Sequence, residues 1–235
     1  MSEHEMHPDL VASGYRSVSD WNEAMVDRYD IDRYYERSHP IVRWIERRRL
    51  ETLRHFAAAR EGDRILEVGC GGGHVLAKFA GLQRTGIDLS PTMLQRARRR
   101  LGDDVELLQG SADQLPFEDG SFDVVLCTEV LEHVVAPDRV VRELMRVAAP
   151  GARVVVSIPN EAIIDRAKRL IRRLPIVRTL LRTLASEGNE WHLHHLDRDA
   201  LRQLTAGAAS IRRVQGVPNN IMPVRYVALL GGYRG

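Results

Sequence analysis

"RILEVGCGGGH", residues 64–74, sets a short apolar run against a loop with glycines at 69, 71, 72 and 73. The run reads as a buried strand. Gly69, Gly71 and Gly73 let the following loop take positive φ without a Cβ penalty and let a ligand approach the backbone closely. Outward from this point the chain alternates. Strands are predicted at 64–68, 84–88, 105–109, 122–127 and 152–158. Helices are predicted at about 74–80, 91–100 and 138–148, the second opened by Ser90 and Pro91. Strict alternation requires right-handed crossovers and a parallel sheet covered on both faces, a doubly wound α/β domain.

In such a sheet ligands lie beyond the carboxyl ends of the strands at the switch point, which is where the glycine loop falls. Asp88 comes nineteen residues after Gly69, at the end of the second strand, where a carboxylate can accept both hydroxyls of a ribose. A dinucleotide-binding loop wants Gly or Ala at position 74, and this chain has His74. Asp113, in "QGSADQLPFEDGSFDVV", adds an acid after the third strand. The three features together describe a nucleoside pocket.

"CTEVLEHVVAPD", residues 127–138, places Glu129, Glu132 and His133 after the fourth strand. On a helical turn the three side chains share one face. They are first-turn acids at a positive helix end, or a base, or part of a metal site, since two carboxylates and an imidazole supply three ligands and "WHLHHLD" further on can supply a fourth.

The motifs "LEVGCGGG", "GIDLS", "SADQLPF", "FDVVLCTEVLEHV" and "APGARVVVSIPN" resemble the class I S-adenosylmethionine-dependent methyltransferases, in particular the group that includes ubiquinone-biosynthesis enzymes. The resemblance spans roughly residues 62–160. It implies a Rossmann-like seven-stranded sheet with an antiparallel last strand and S-adenosylmethionine as cofactor. Gly69, Gly71 and Gly73 would line the methionine half, with Glu67 orienting the loop. Asp88 would bind the ribose and Leu89 would pack on the adenine, whose edge Ala112 and Asp113 would read. The E-x-x-E-H cluster is similar to metal-dependent O-methyltransferases of RNA ends. That similarity implies Glu129, Glu132, His133 and His192 as ligands of a divalent ion (Mg, Mn, Fe or Zn), with His194 and His195 as substitutes, and His133 as the base if no metal is present.

Residues 1–60 read as an N-terminal helical flap, with an amphipathic helix from Pro40 to about Arg60 capped by Ser38. Aromatic residues of this region (Tyr15, Trp21, Tyr34, Tyr35) are expected to help select the acceptor. The remainder, 61–235, forms the methyltransferase domain. Residues 161–184 carry seven basic side chains against two acidic ones, interrupted at Pro175, within an inserted helical lid spanning 161–190. Such a pair of helices is a lid, or a peripheral contact with an anionic membrane.

The net charge of +2 argues against nucleic acid as the acceptor. Cys70 and Cys127 make no metal or disulfide spacing, no run approaches the ~18 apolar residues of a membrane span, and a cytoplasmic location is expected. The expected activity is O-methylation of a small or lipid-linked molecule. The alternatives are methylation of an RNA terminal ribose and non-catalytic binding of the cofactor.

Overall fold

The computed structural model describes residues 15–29, 38–173 and 191–232; Tyr34, Tyr35 and the expected break at Pro175 lie outside these residues, as does most of the lid. The chain order is α1 (Val18–Arg28), α2 (Pro40–Ala57), β1 (Arg64–Val68), a 3₁₀ turn (Leu76–Phe79), β2 (Gln83–Asp88), α3 (Pro91–Leu101) and β3 (Val105–Gln109). It continues through β4 (Phe122–Thr128), α4 (Pro137–Val147), β5 (Ala148–Pro159), α5 (Glu161–Arg173), α6 (Arg198–Thr205), β6 (Ala209–Val217) and β7 (Arg225–Gly232).

The seven strands form one sheet in the order β3-β2-β1-β4-β5-β7-β6. β1 to β5 pair in parallel, and β7 is antiparallel to both β5 and β6. This is the Rossmann-like sheet expected, with the strand order reversing between β1 and β4.

Alternation along the central strands builds two cores. Leu66, Val68, Val125, Cys127, Val154 and Val156 face the side covered by Leu144 of α4 and Leu201 of α6. Ile65, Val124, Leu126 and Val155 face the other side, against Leu53 and Phe56 of α2 and Leu76 of the 3₁₀ turn. Burying one such aliphatic side chain contributes about 1.5–3 kcal/mol, so the fold rests on these two layers.

Local predictions hold where the capping chemistry is explicit. Ser90 accepts the Met93 N–H at 3.0 Å and starts α3. Three expectations change. His39, whose Nδ1 accepts the Ile41 N–H, caps α2 in place of Ser38. The helix expected over 74–80 shrinks to a 3₁₀ turn. The flap expected over 1–60 is in part built into the body, because α2 buries Leu53, Phe56 and Ala57 against the sheet.

Candidate active site

The carboxyl ends of β1, β2 and β3 stand side by side, through Val68 opposite Ile87 and Asp88 opposite Gln109. The glycine loop leaves β1 by a sharp turn in which the Gly69 and Cys70 N–H groups both donate to Ile87 O. Gly69 has φ +69°, and a Cβ there would lie 2.3 Å from Val130 Cγ2. No other residue fits. The Gly71 N–H donates to Asp88 Oδ2 at 2.7 Å, and the Ser90 N–H donates to Oδ1 at 2.9 Å. Asp88 is thereby fixed at the rim, with a further lone pair on each oxygen. Burial pushes its carboxyl above the usual range, and these two N–H groups pull it back.

Glu67 lies beneath the loop, 1% exposed, and accepts the Leu76 N–H at 3.1 Å. That bond ties β1 to the far end of the loop. Burial pushes its carboxyl up to about 8 against the pull of Arg49. After β3, Ser111 Oγ lies 2.5 Å from Asp113 Oδ1, and Ala112 packs against the first core. Arg146 of α4 holds this loop by donating to Leu115 O and Phe117 O, while Glu143 accepts the Leu115 N–H. Leu89 is half-buried, next to Asp88.

The Glu129-Glu132-His133 cluster departs from expectation. Residues 129–136 form a turn rather than the first turn of a helix, and Glu129 has φ +56°. Its side chain therefore leaves the shared face. Glu129 Oε1 accepts the Ser157 hydroxyl at 2.8 Å, and Oε2 pairs with Arg225 Nη1 at 2.5 Å. Arg225 in turn pairs with Glu46, and Glu46 with Arg49. Burial opposes ionisation of Glu46, but the two guanidinium groups outweigh it and hold its carboxyl down at about 2. Glu129 is thus engaged in this network, apart from the donor atoms of the other expected ligands.

The other three expected ligands do come together. Donor atoms of Glu132, His133 and His192 lie within 4.8 Å of one another. Glu132 is buried, and its Oε2 has no partner among the described residues. Burial and the nearby Glu129 carboxylate push the Glu132 carboxyl well above the usual range. His133 Nδ1 lies 2.8 Å from Trp191 O; a carbonyl only accepts, so the ring proton sits on Nδ1 and Nε2 carries the lone pair. Burial, with His192 beside it, pushes His133 down to about 3, so the ring is neutral.

Glu132 O also receives the Leu193 and His194 N–H groups, at 2.8 and 3.2 Å, pinning the 191–196 loop over the cluster. His194 turns away, its Nε2 against Val134 O. His192 and His195 both pair with Glu161 at the start of α5. Sequence reasoning missed Glu161, Arg49 and Arg225 as parts of this region. A glutamate opening a helix and arginines among many arginines carry no local mark. Trp21, expected to help select the acceptor, is 3% exposed within a small core that also holds Tyr15, Tyr29 and Trp191.

Residues 66–156 match the family model described as a methyltransferase domain. Norajmaline N-methyltransferase of Rauvolfia serpentina is 43% identical over 39% of this chain and 34% of its own length. The ubiquinone biosynthesis O-methyltransferase of Bordetella avium is 39% identical over 48% of this chain and 49% of its own. A longer match, at 30% identity over 71% of this chain and 66% of the relative, is to 27-O-demethylrifamycin SV methyltransferase of Amycolatopsis mediterranei. The matched region thus spans between a third and two thirds of these relatives. The PH0226 protein of Pyrococcus horikoshii shares the fold, with a TM-score of 0.64 at 17% identity over 89% of this chain and 99% of that one.

Proposed function

We propose that this methyltransferase-domain chain uses S-adenosylmethionine to methylate a hydroxyl of a small molecule, of the natural-product or quinone-precursor kind. The observation that carries the reading is the rim itself. A glycine loop cross-linked to Asp88 and an acidic loop after β3 stand beside the Glu132-His133-His192 cluster, in which His133 carries its lone pair on Nε2. The names of the relatives from Bordetella and Amycolatopsis support oxygen over nitrogen as the acceptor atom, whereas the Rauvolfia relative supports nitrogen.

When bound, the cofactor supplies an electrophilic methyl group on a sulfonium. The chain's own part is to hold and orient. Gly69, Gly71 and Gly73 admit the methionine portion against backbone, Asp88 grips the sugar, and Leu89, Ala112 and Asp113 border the base. On the acceptor side, proximity supplies most of the acceleration. Neutral His133 can take the hydroxyl proton at Nε2 as the new carbon–oxygen bond forms.

Glu132, His133 and His192 also fit a divalent cation: a buried carboxylate oxygen without a partner among the described residues, a bare Nε2 whose Nδ1–H is anchored on a carbonyl, and a third donor within reach. A cation there would lower the pKa of a bound hydroxyl. Lipid-linked acceptors fall within the same proposal. Arg166 and Arg169 are exposed on α5, and no described helix is long and apolar enough to cross a membrane.

The test is calorimetry with S-adenosylmethionine and S-adenosylhomocysteine, followed by transfer of labelled methyl to catechols, hydroquinones, amines and RNA, with and without chelator. Micromolar binding and label on a hydroxyl support the proposal. Absence of binding, or label confined to amines or RNA, overturns it. Turnover indifferent to chelator assigns the cluster to His133 as base.

A further inference from the structure

The N-terminal helix reaches the donor side of the rim, and it brings a carboxylate. Glu23 lies on α1, whose Trp21 and Met25 are buried against Val135, Trp191 and Leu193. Burial of that face fixes the helix rotationally. Glu23 Oε2 accepts the Thr92 hydroxyl at 2.7 Å across 69 residues. Thr92 is in the first turn of α3, whose cap Ser90 donates its N–H to Asp88. The Glu23 carboxylate therefore stands at the same helix end as the rim aspartate. Its second oxygen, Oε1, is buried and has no partner among the described residues.

A carboxylate oxygen withdrawn from water without a hydrogen bond costs free energy, and a second carboxylate nearby raises the cost. Glu23 is itself among the groups that disfavour ionisation of Asp88. Two neighbouring carboxylates with spare lone pairs are satisfied together by a pair of adjacent hydroxyls, each donating one hydrogen. A backbone N–H or a lone hydroxyl satisfies only one.

We propose that Glu23 is a donor-binding residue, its Oε1 accepting a hydroxyl of the vicinal diol of a nucleoside while Asp88 accepts the other. The inference rests on the S-adenosylmethionine reading above. It assigns α1 to the wall of the donor site, where the sequence suggested an acceptor-selecting flap. The Thr92 hydroxyl engages Oε2 and leaves Oε1 as the oxygen without a partner among the described residues.

The test is calorimetry on the full chain with S-adenosylhomocysteine and its 2′-deoxy and 3′-deoxy forms. Wild type, Glu23→Gln and Glu23→Ala are compared, and each melting temperature is measured without ligand. The expected result is a roughly tenfold loss of S-adenosylhomocysteine affinity in both variants. In the variants, removing the hydroxyl that Glu23 reads costs no further affinity. The ligand-free melting temperature of Glu23→Gln stays level or rises, because its carboxylate no longer repels that of Asp88.

Equal affinity in wild type and both variants overturns the assignment. So does an equal loss for all three ligands together with a lowered melting temperature, which marks Glu23 as only a tie between α1 and α3. A wild-type chain that binds none of the three ligands defeats the cofactor reading itself, an outcome distinct from either.

Discussion

Gly71 donates its backbone N–H to Asp88 Oδ2 at 2.7 Å, closing a cross-link between two strand ends seventeen residues apart in the chain. The bond joins the glycine loop and the rim aspartate into one unit. Asp88→Ala should therefore weaken S-adenosylhomocysteine binding by two orders of magnitude, since charge-assisted hydrogen bonds contribute about 1.5–3 kcal/mol each. It should also lower the melting temperature, because the Gly71 and Ser90 N–H groups lose their acceptor. Calorimetry and thermal melts report both. Full retention of binding would refute the placement of the sugar.

The glycines of this chain should not be equivalent. Gly69→Ala meets Val130 at 2.3 Å as well as a positive φ, whereas Gly62→Ala at φ +85° meets nothing within 4 Å. The Gly62 variant should lose only about 1 kcal/mol of stability, to backbone strain. At Gly69 the clash adds another ~1–3 kcal/mol and deforms the loop. Denaturant melts of the two variants, with ligand affinity measured beside them, check the ordering.

Glu67 should give the fold a pH dependence of unusual sign. Its carboxyl is held at about 8 in the folded chain against an ordinary value of 4.5. Between those limits the unfolded chain releases the proton and the folded chain keeps it, so stability falls as pH rises. The contribution is complete below pH 4.5 and gone above about 8. Glu67→Gln should flatten that slope, by on the order of 1 kcal/mol per pH unit at most. Urea melts at pH 5, 6.5 and 8, read as the difference between the two proteins, measure it.

Arg225 should matter for stability more than for chemistry. It joins Glu46 to Glu129, and both its pairs are largely shielded from water. Arg225→Met leaves two carboxylates short of a partner and should cost about 2–4 kcal/mol, as breaking one side of a buried pair does. Adding Glu129→Gln should recover part of the loss. A Glu129→Gln change that deepens the loss would contradict the network.

Much of the glycine-loop rim was legible in the sequence because its determinants are local. Alternation of apolar residues marks a strand, a serine and a proline mark the start of α3, and the glycine loop follows β1 directly. Strand ends in a doubly wound sheet fall on one rim, so Asp88 and Asp113 could be placed without coordinates, whereas Glu67 was marked only by the resemblance. The region after β4 was less legible. Glu129 was assigned to a helical face, and one positive φ, unmarked in a non-glycine residue, sends it to Arg225 instead.

What the sequence determined by itself was the alternation of strands and helices with the parallel direction it requires, the loop that a ligand approaches, and the residue types that meet there. The tertiary structure alone decided which charged side chains pair across the fold: Glu23 with Thr92 over 69 residues, and Arg225 with Glu129 over 96. The reason is physical. Periodicity within a segment says which face is apolar, whereas the rotation of a helix about its axis, and hence the partner its polar residues meet, is set by packing against distant strands.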